Sequence, residues 1–189
     1  MKFIEPYGLS WKAEFEKLYH VFRNELSDLN PPIDIQHVGS TSIPGMIAKP
    51  ILDIDIIISD PAQLQLIHQK LEKIGYQPKG EQGIPGRFAF RQTSSQTPQT
   101  ATKDTWQNHH LYVCLADSVA LKNHLGFRNA LLKDARLADQ YAQLKQTLCS
   151  NPDITMEQYW KSKTAFIVSV LANAGFSENE LADIENANK

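Results

Sequence analysis

Two aspartates separated by one residue are the strongest chemical signal in this chain. Asp53 and Asp55 lie in the segment 51–58, which is short, rich in β-branched residues and bounded by proline and polar residues. Such a segment predicts a buried strand, in which the two carboxylates share one face. Neighbouring carboxylates repel each other, and Mg²⁺ favours oxygen ligands of this kind together with substrate phosphates. The pair therefore predicts a divalent metal site; two aspartates facing water at an exposed strand end are the alternative.

A turn of small residues precedes that strand. The segment 33–38 alternates apolar and polar residues like a strand, and Gly39, Ser40, Thr41 and Ser42 follow it. Glycine lets the backbone approach a ligand closely, and hydroxyl residues are good helix caps. Such a turn aims free N–H groups at an anion, so it predicts phosphate binding, with an ordinary helix cap as the alternative.

The order of these motifs resembles the nucleotidyltransferase superfamily that includes DNA polymerase β. In that superfamily a Gly-Ser turn holds the nucleoside triphosphate and an Asp-x-Asp strand binds metal. More narrowly, the chain resembles the GrpB family over about residues 5–175. The matching segments are 37–45, 49–55, 80–87, 110–114, 127–129, 141–145 and 159–163. The resemblance implies a nucleotidyltransferase-like fold and a divalent metal, Mg²⁺ or Mn²⁺, without defining a substrate.

The third metal ligand expected in that superfamily is missing from its usual place. The strand predicted at 106–114 contains no carboxylate, but His110, Tyr112 and Cys114 share one of its faces. If this face adjoins the two aspartates, His110 replaces the third carboxylate, either as a ligand that suits Mn²⁺ or Zn²⁺ or as a base. A purely structural histidine is the alternative, and Glu81 on a predicted turn is a competing ligand. The missing carboxylate also leaves open binding without efficient turnover.

Several cationic and aromatic side chains are candidates for binding the nucleotide. They are Lys49, Arg87, Arg91, Tyr112, Arg128, Tyr159 and Lys163. Arg87 and Arg91 lie four residues apart on a predicted strand and share a face, and guanidinium groups suit phosphate. Lys163 follows Tyr159 by four residues on one helix face, where a base could stack on the tyrosine. A core tyrosine and solvated surface charges are the alternatives, and we favour Arg87 over Lys163 and Lys163 over Arg128.

Composition narrows the class of partner. The 189 residues include 19 basic and 21 acidic side chains, for a net charge of −2, and the basic residues are scattered. This pattern lacks the electrostatic footprint of a nucleic-acid-binding protein, so a nucleoside triphosphate and a small-molecule acceptor are the expected partners. We expect neither a leader peptide nor a membrane span. The two cysteines, Cys114 and Cys149, have neither metal-ligand nor redox spacing, which favours a reducing cytoplasm.

The chain is predicted to be an α/β (α+β) protein, with a nucleotidyltransferase-like mixed sheet of about five strands and a C-terminal antiparallel helical bundle. We divide it into an α/β core at 1–116, a helical part of the same domain at 117–176 packed on the core, and a polar tail at 177–189. The expected strands lie near 33–38, 51–58, 87–92 and 106–114, with a hairpin over 76–92. The expected helices begin with one capped by Ser10, followed by one that starts at Asp60-Pro61 and runs to about Ile74, and they continue at about 118–132, 134–149 and 155–174. The polar segment 93–105 is expected to be a lid or an elongated hairpin tip. The tail lacks an apolar stripe strong enough to dock, with a last short helix as the alternative.

Two functions follow from these residues. The first is a metal-dependent nucleotidyltransferase that moves a nucleotidyl group to a small acceptor, with Asp53, Asp55 and His110 as catalytic residues and metal ligands. The second is a catalytically weak nucleotide- or cofactor-binding module on the same fold. A metal-dependent phosphohydrolase is a third and weaker candidate.

Overall fold

A single mixed β-sheet organises the computed structural model, which describes residues 4–187. Its strands are β1 (Asp34–Val38), β2 (Leu52–Ile58), β3 (Tyr76–Gly80), β4 (Arg87–Gln92) and β5 (His109–Leu115). They lie in the order β1-β2-β5-β4-β3, with β2 and β5 parallel and the other neighbouring pairs antiparallel. The predicted mixed five-stranded sheet is confirmed.

Helices cover both faces of this sheet. They are α1 (Ser10–Glu25), α2 (Leu64–Lys73), α3 (Val119–Lys133), α4 (Ala135–Ser150), α5 (Met156–Asn173) and α6 (Glu178–Asn186). Helices α1 and α2 pack on the apolar face, where Leu52, Ile54 and Ile56 of β2 are fully buried. Helices α3 to α5 lie on the other side and share a smaller apolar cluster around Leu131 and Tyr141. None of the helices within residues 4–187 is both long and apolar enough to cross a bilayer.

Side-chain caps set the starts of the C-terminal helices. The Ser118 hydroxyl accepts the N–H of Leu121 at the start of α3, and Asp134 caps α4 in the same way. Thr155 forms a capping box with Gln158 at α5, which satisfies two otherwise unpaired backbone donors. The predicted Ser10 cap is wrong, because Ser10 is already the first helical residue and Leu9 occupies the cap position.

The connection between β4 and β5 is an anchored loop. Strand β5 begins at His109, three residues later than predicted, because residues 106–108 do not join the ladder. Trp106 is buried and its indole N–H donates to the carbonyl of Pro98 at 2.8 Å. Thr97 is also buried, and the N–H of Gln99 donates to the carbonyl of Ile74 at 2.8 Å. These contacts tie the loop to the end of α2 instead of leaving it as a lid.

The tail forms a docked helix, so the expectation that it would not dock is wrong. Ile184 of α6 is buried, and Glu180 accepts a hydrogen bond from Lys122 of α3 at 2.5 Å. Ser177 and Glu180 form a capping box that starts α6. A buried side chain, an ion pair and a cap hold the helix in place. Because these contacts produce no apolar stripe, the docking of α6 could not be predicted from the sequence. The last two residues of the predicted tail lie outside the described part of the chain.

Candidate functional site

The two aspartates of β2 point away from the apolar core. In the sheet register Asp53 lies beside His110 and Asp55 lies beside Tyr112 on the parallel strand β5. Residues side by side on neighbouring strands share a face, so the acids, His110 and Tyr112 all face the C-terminal helices. This arrangement follows directly from strand alternation.

Each aspartate is hydrogen-bonded to a histidine. Oδ1 of Asp53 lies 2.9 Å from Nδ1 of His110, and Oδ2 of Asp55 lies 2.8 Å from Nδ1 of His124 on α3. The hydrogen bond to Asp53 raises the pKa of His110 above its usual value. Burial opposes charge on His124, but the attraction of Asp55 outweighs it, and the pKa of His124 is also raised. The histidines therefore offset the repulsion that the sequence predicts between the two carboxylates.

The environments of the two aspartates differ. The Asp53 side chain is 32% exposed, whereas Asp55 is fully buried. Within residues 4–187, Oδ1 of Asp55 is buried without a hydrogen-bond partner. A buried carboxylate oxygen normally has a donor or a cation beside it, so this atom is a candidate position for a ligand.

The Gly-Ser turn lies directly against Asp53. Gly39 has a φ of +69°, and a Cβ atom at this position would lie 2.2 Å from Oδ2 of Asp53. Glycine is therefore required both by the backbone conformation and by the close approach. The residues that follow form a single turn of 3₁₀ helix, Ser40–Ser42.

The hydroxyl groups of this turn have different roles. Oγ of Ser42 donates to the carbonyl of Gly39 at 2.6 Å, so it stabilises the turn itself. Oγ1 of the buried Thr41 lies 3.0 Å from Nε2 of His37, whose ring stacks on Phe15 of α1. Burial lowers the pKa of His37 to about 4, so this histidine is neutral at physiological pH. Ser40 is the hydroxyl residue that contacts a cation.

That cation is Lys145 of α4, which sequence reasoning missed. Lys145 is 2% exposed, and its Nζ donates to Oγ of Ser40 at 3.0 Å and to the carbonyl of Ile47. Burial, aided by repulsion from Lys163, lowers the pKa of Lys145 to about 7. An anion beside this ammonium group would restore its charge at neutral pH.

A cavity of about 250 Å³ opens in front of the turn. It is lined by Ser40, Thr41, Lys49, Asp53, His110, Lys145, Tyr159, Trp160 and Lys163, among others. Tyr159 is buried, and the ammonium groups of Lys163 and Lys49 lie 5.2 and 5.7 Å from its ring centroid. Trp160, by contrast, is 53% exposed at the cavity. Three lysines and one carboxylate give the lining of this cavity an excess of basic groups, which is the chemistry that suits an anion.

A larger cavity of about 600 Å³ adjoins His124. Its walls include Arg87 and His124, the turn before β4, and Asp183 and Ile184 of α6. The Arg87 guanidinium carbon lies 4.6 Å from the centroid of the Tyr112 ring. Arg87 is thus between the polar face of the sheet and this cavity.

Three other candidate residues line neither cavity and have structural partners of their own. Arg91 donates to Gln77 at the outer strands of the sheet. Arg128 donates to Gln36 and to the carbonyl of His37, and so fastens α3 to β1. The carboxylate of Glu81 accepts the N–H of Gly86 at 2.7 Å within its own turn. Glu81 is therefore held away from the place that His110 occupies.

Comparison with known proteins confirms the family. Residues 3–173 match the family model described as GrpB protein. The chain belongs to the GrpB family. It is 32% identical over 170 residues to the UPF0157 protein YqkA of Bacillus subtilis, a match that covers 90% of this chain and 45% of YqkA. The chain therefore spans less than half of that relative's length.

Solved structures agree with the fold. The GrpB protein from Enterococcus faecalis superposes with a TM-score of 0.69 at 27% identity, over 98% of this chain and 99% of that one. Cid1 in complex with the UTP analogue UMPNPP superposes with a TM-score of 0.57 at 14% identity, over 86% of this chain and 48% of Cid1. The fold is therefore nucleotidyltransferase-like.

The structure gathers some of the predicted site residues and separates others. The predicted residues that surround the smaller cavity are Ser40, Thr41, Lys49, Asp53, His110, Tyr159 and Lys163. Gly39 and Asp55 adjoin this group, Arg87 and Tyr112 lie toward the larger cavity, and Arg91 and Arg128 serve other contacts. His124 and Lys145 were missed: the segment 141–145 carried the family resemblance, but nothing in its spacing directs Lys145 toward the turn, and His124 lies in no matching segment.

Proposed function

We propose that this protein is a metal-dependent nucleotidyltransferase that moves a nucleotidyl group from a nucleoside triphosphate to a small acceptor. The observation that carries the proposal is the contact between Gly39 and Asp53, at the mouth of a cavity lined by Lys49, Lys145 and Lys163. Nucleotidyl transfer needs a phosphate site directly beside paired carboxylates, because the reaction depends on positioning and charge stabilisation. Similarity to the Cid1 fold adds support.

Asp53 and Asp55 would hold Mg²⁺ or Mn²⁺. Carboxylate oxygens suit both ions, and the unpartnered Oδ1 of Asp55 among the described residues is consistent with such a ligand. When bound, a divalent ion would neutralise charge on the reacting phosphate. His110 and His124 keep the carboxylates in place through their Nδ1 atoms, and His110 is the candidate third ligand.

The triphosphate would lie in the 250 Å³ cavity. The Gly39–Ser40 backbone and the Ser40 hydroxyl would contact phosphate oxygens, while the lysines supply positive charge. The cavity accommodates phosphates better than an entire nucleotide, so the base would project outward. Trp160 is exposed there and offers a stacking surface, whereas both lysines over Tyr159 leave that ring little access.

The small acceptor would enter from the 600 Å³ cavity beside Arg87 and His124. Pockets for small molecules typically measure about 300–1,000 Å³. One wall of this cavity belongs to α6, which lies beyond the residues that match the family model. The net charge of −2 argues against a nucleic-acid acceptor.

A catalytically weak binding module is the second candidate, and a specific observation favours it. A histidine lies beside Asp53 where the superfamily is expected to supply a carboxylate, and each aspartate already has a histidine partner. A nucleotide could then bind through the lysines alone.

Pyrophosphate release and nucleotide binding distinguish these candidates. Each of the four common nucleoside triphosphates is incubated with Mg²⁺ or Mn²⁺ and a panel of small hydroxyl and amino acceptors, and calorimetry measures nucleotide binding with and without chelator. A transferase releases pyrophosphate with metal and loses this activity in Asp53→Asn but not in Asp60→Asn, which alters an exposed acid just beyond β2. Binding that persists in chelator, with no pyrophosphate from any combination, supports the module and contradicts the transferase.

A further inference from the structure

A cluster of three metal-ligating groups lies deeper than the proposed nucleotide site. A carboxylate oxygen of Asp55, Sγ of Cys114 and a ring nitrogen of His124 all lie within 4.8 Å of one another. Asp55 and Cys114 project from the neighbouring strands β2 and β5, and His124 covers them from α3. The two sheet residues are fully buried, and the His124 side chain is 21% exposed.

Asp55 is only partly satisfied within this cluster. Its Oδ2 pairs with Nδ1 of His124, whereas Oδ1 has no hydrogen-bond partner within the described residues, which is unfavourable for a buried carboxylate oxygen. The nearby thiol is a weak donor. Burial, together with the charge of Asp55, raises the pKa of the Cys114 thiol, so a carboxylate meets a thiol that keeps its proton.

Oxygen, sulphur and nitrogen ligands together favour a transition metal. Thiolate and imidazole suit Zn²⁺ and Co²⁺, whereas Mg²⁺ selects oxygen ligands alone. Zinc sites with three protein ligands leave a fourth position for water or another molecule. We propose that Asp55, Cys114 and His124 form a three-ligand site for a zinc-class transition-metal ion.

Small side-chain movements would complete this site. Ligand atoms around tetrahedral Zn²⁺ are roughly 3.5 Å apart. The three ligand atoms here lie within 4.8 Å of one another, and Nδ1 of His124 lies 2.8 Å from Oδ2 of Asp55, so adjustments on the order of 1 Å would suffice. Coordination would replace the Asp55–His124 hydrogen bond, and the Cys114 thiol proton would pass to solvent. His124 would bind as the neutral imidazole protonated on Nε2, so an imidazolium would release its Nδ1 proton to solvent, and in a neutral ring an Nδ1 proton would be exchanged for one on Nε2. One thiolate and one carboxylate then balance the two charges of the ion, beside the positive charge of Arg87.

The fourth position would face the larger cavity, because His124 lines that cavity. This site does not depend on nucleotidyl transfer. It shares Asp55 with the proposed Mg²⁺ or Mn²⁺ site, so bound zinc would withdraw one carboxylate from that site.

Cobalt provides a direct test, because a bond from thiolate to Co²⁺ produces an intense charge-transfer band in the near ultraviolet. The full-length protein is first freed of metal with chelator, and Co²⁺ is then added to wild type, Cys114→Ser and Cys149→Ser. We expect a band that saturates at one Co²⁺ per chain in wild type and Cys149→Ser, and is absent in Cys114→Ser. The Cys149 variant is the matched control, since Cys149 lies on α4 outside the cluster.

Competition supplies the second measurement and needs no variant. One equivalent of Zn²⁺ should remove the cobalt band in wild type, whereas excess Mg²⁺ should leave it.

His124→Gln, which keeps an amide donor near Asp55, should weaken Co²⁺ binding at least tenfold. A band that survives in Cys114→Ser, disappears in Cys149→Ser or never forms in wild type would overturn the site. None of these readouts requires pyrophosphate release, so failure of the proposed transferase would leave them unchanged.

Discussion

Nδ1 of His124 lies 2.8 Å from Oδ2 of Asp55, a residue 69 positions earlier in the chain. The contact joins α3 to strand β2, so a helix that covers the sheet also supplies the charge partner of the fully buried Asp55. The aspartate pair is therefore part of a network of two acids and two histidines. Stability and ligand binding at this site should both depend on histidine protonation.

Asp55→Asn should destabilise the protein more at low pH than at high pH. The pKa of His124 is raised in the folded state, so its pairing with Asp55 contributes fully below the unfolded value of about 6.5 and is lost as pH rises through the folded pKa. We expect a loss of about 1–3 kcal/mol in the free energy of unfolding near pH 6, and less than half of that near pH 9. Chemical denaturation in chelator measures both values.

Asp60→Asn provides the control for this experiment, because its side chain caps an exposed turn and an asparagine can replace it. Its stability should follow wild type at both pH values. An equal loss for Asp55→Asn at both pH values would show that the histidine pair does not supply the stability.

Gly39→Ala should abolish nucleotide binding because its added Cβ would meet Asp53, and Gly45→Ala is the control for the backbone effect of alanine alone. Both glycines have positive φ angles, +69° and +78°, so alanine should cost about 1 kcal/mol of stability at position 45 and more at position 39, whose ψ of −172° is essentially restricted to glycine. An added Cβ meets Asp53 at position 39 but has nothing within 4 Å at position 45. Melting curves with and without nucleoside triphosphate and Mn²⁺ should show a ligand-induced rise for Gly45→Ala and none for Gly39→Ala. The same rise in both variants would exclude the turn from the site.

Alternation along the strands predicted the site residues that the sheet contributes, whereas tertiary packing determined those that the helices contribute. Alternation in two strands was enough to bring Asp53, Asp55 and His110 to one face. His124 and Lys145 reach that face from α3 and α4, whose direction across the sheet depends on packing of the apolar cluster between helices. Nothing in the sequence around a helical histidine or lysine indicates such a contact, and these side chains usually lie on the solvent-exposed face of their helix.

Lys145 should make nucleotide binding sensitive to pH. Its pKa of about 7 in the fold means that the ammonium form, which binds phosphate, predominates only below that pH. We expect Lys145→Met to weaken nucleotide binding about tenfold or more at pH 6, with a smaller effect near pH 9. Because the triphosphate itself titrates in this range, calorimetry compares the variant with wild type at each pH.

Stability offers an independent check on Lys145. An amine whose pKa is lowered by folding makes the wild type more stable as pH rises from about 7 toward the unfolded value of 10.5, and Lys145→Met should lack this rise. Lys161→Met is the control, since Lys161 pairs with Glu157 on the exposed side of α5 and should affect neither measurement. Equal pH dependence in wild type and Lys145→Met would remove Lys145 from the phosphate site.

His110→Asp should change which metal the site prefers. His110 lies beside Asp53 in the parallel register, so an aspartate there adds the third carboxylate that the sequence lacks. Oxygen ligands favour Mg²⁺, whereas imidazole favours Mn²⁺ and later transition metals. We expect the ratio of Mg²⁺ to Mn²⁺ affinity to rise about tenfold or more, measured from metal-induced shifts in melting temperature and, where pyrophosphate is released, from its rate. His110→Asn, which also replaces the imidazole but adds no carboxylate, should raise this ratio less than His110→Asp does. The half-exposed His110–Asp53 pair contributes little stability, about 1 kcal/mol or less, so both variants should fold. If the ratio is the same in wild type and His110→Asp, the side chain at position 110 does not bind the metal, and Asp53 and Asp55 would have to hold it without this third ligand.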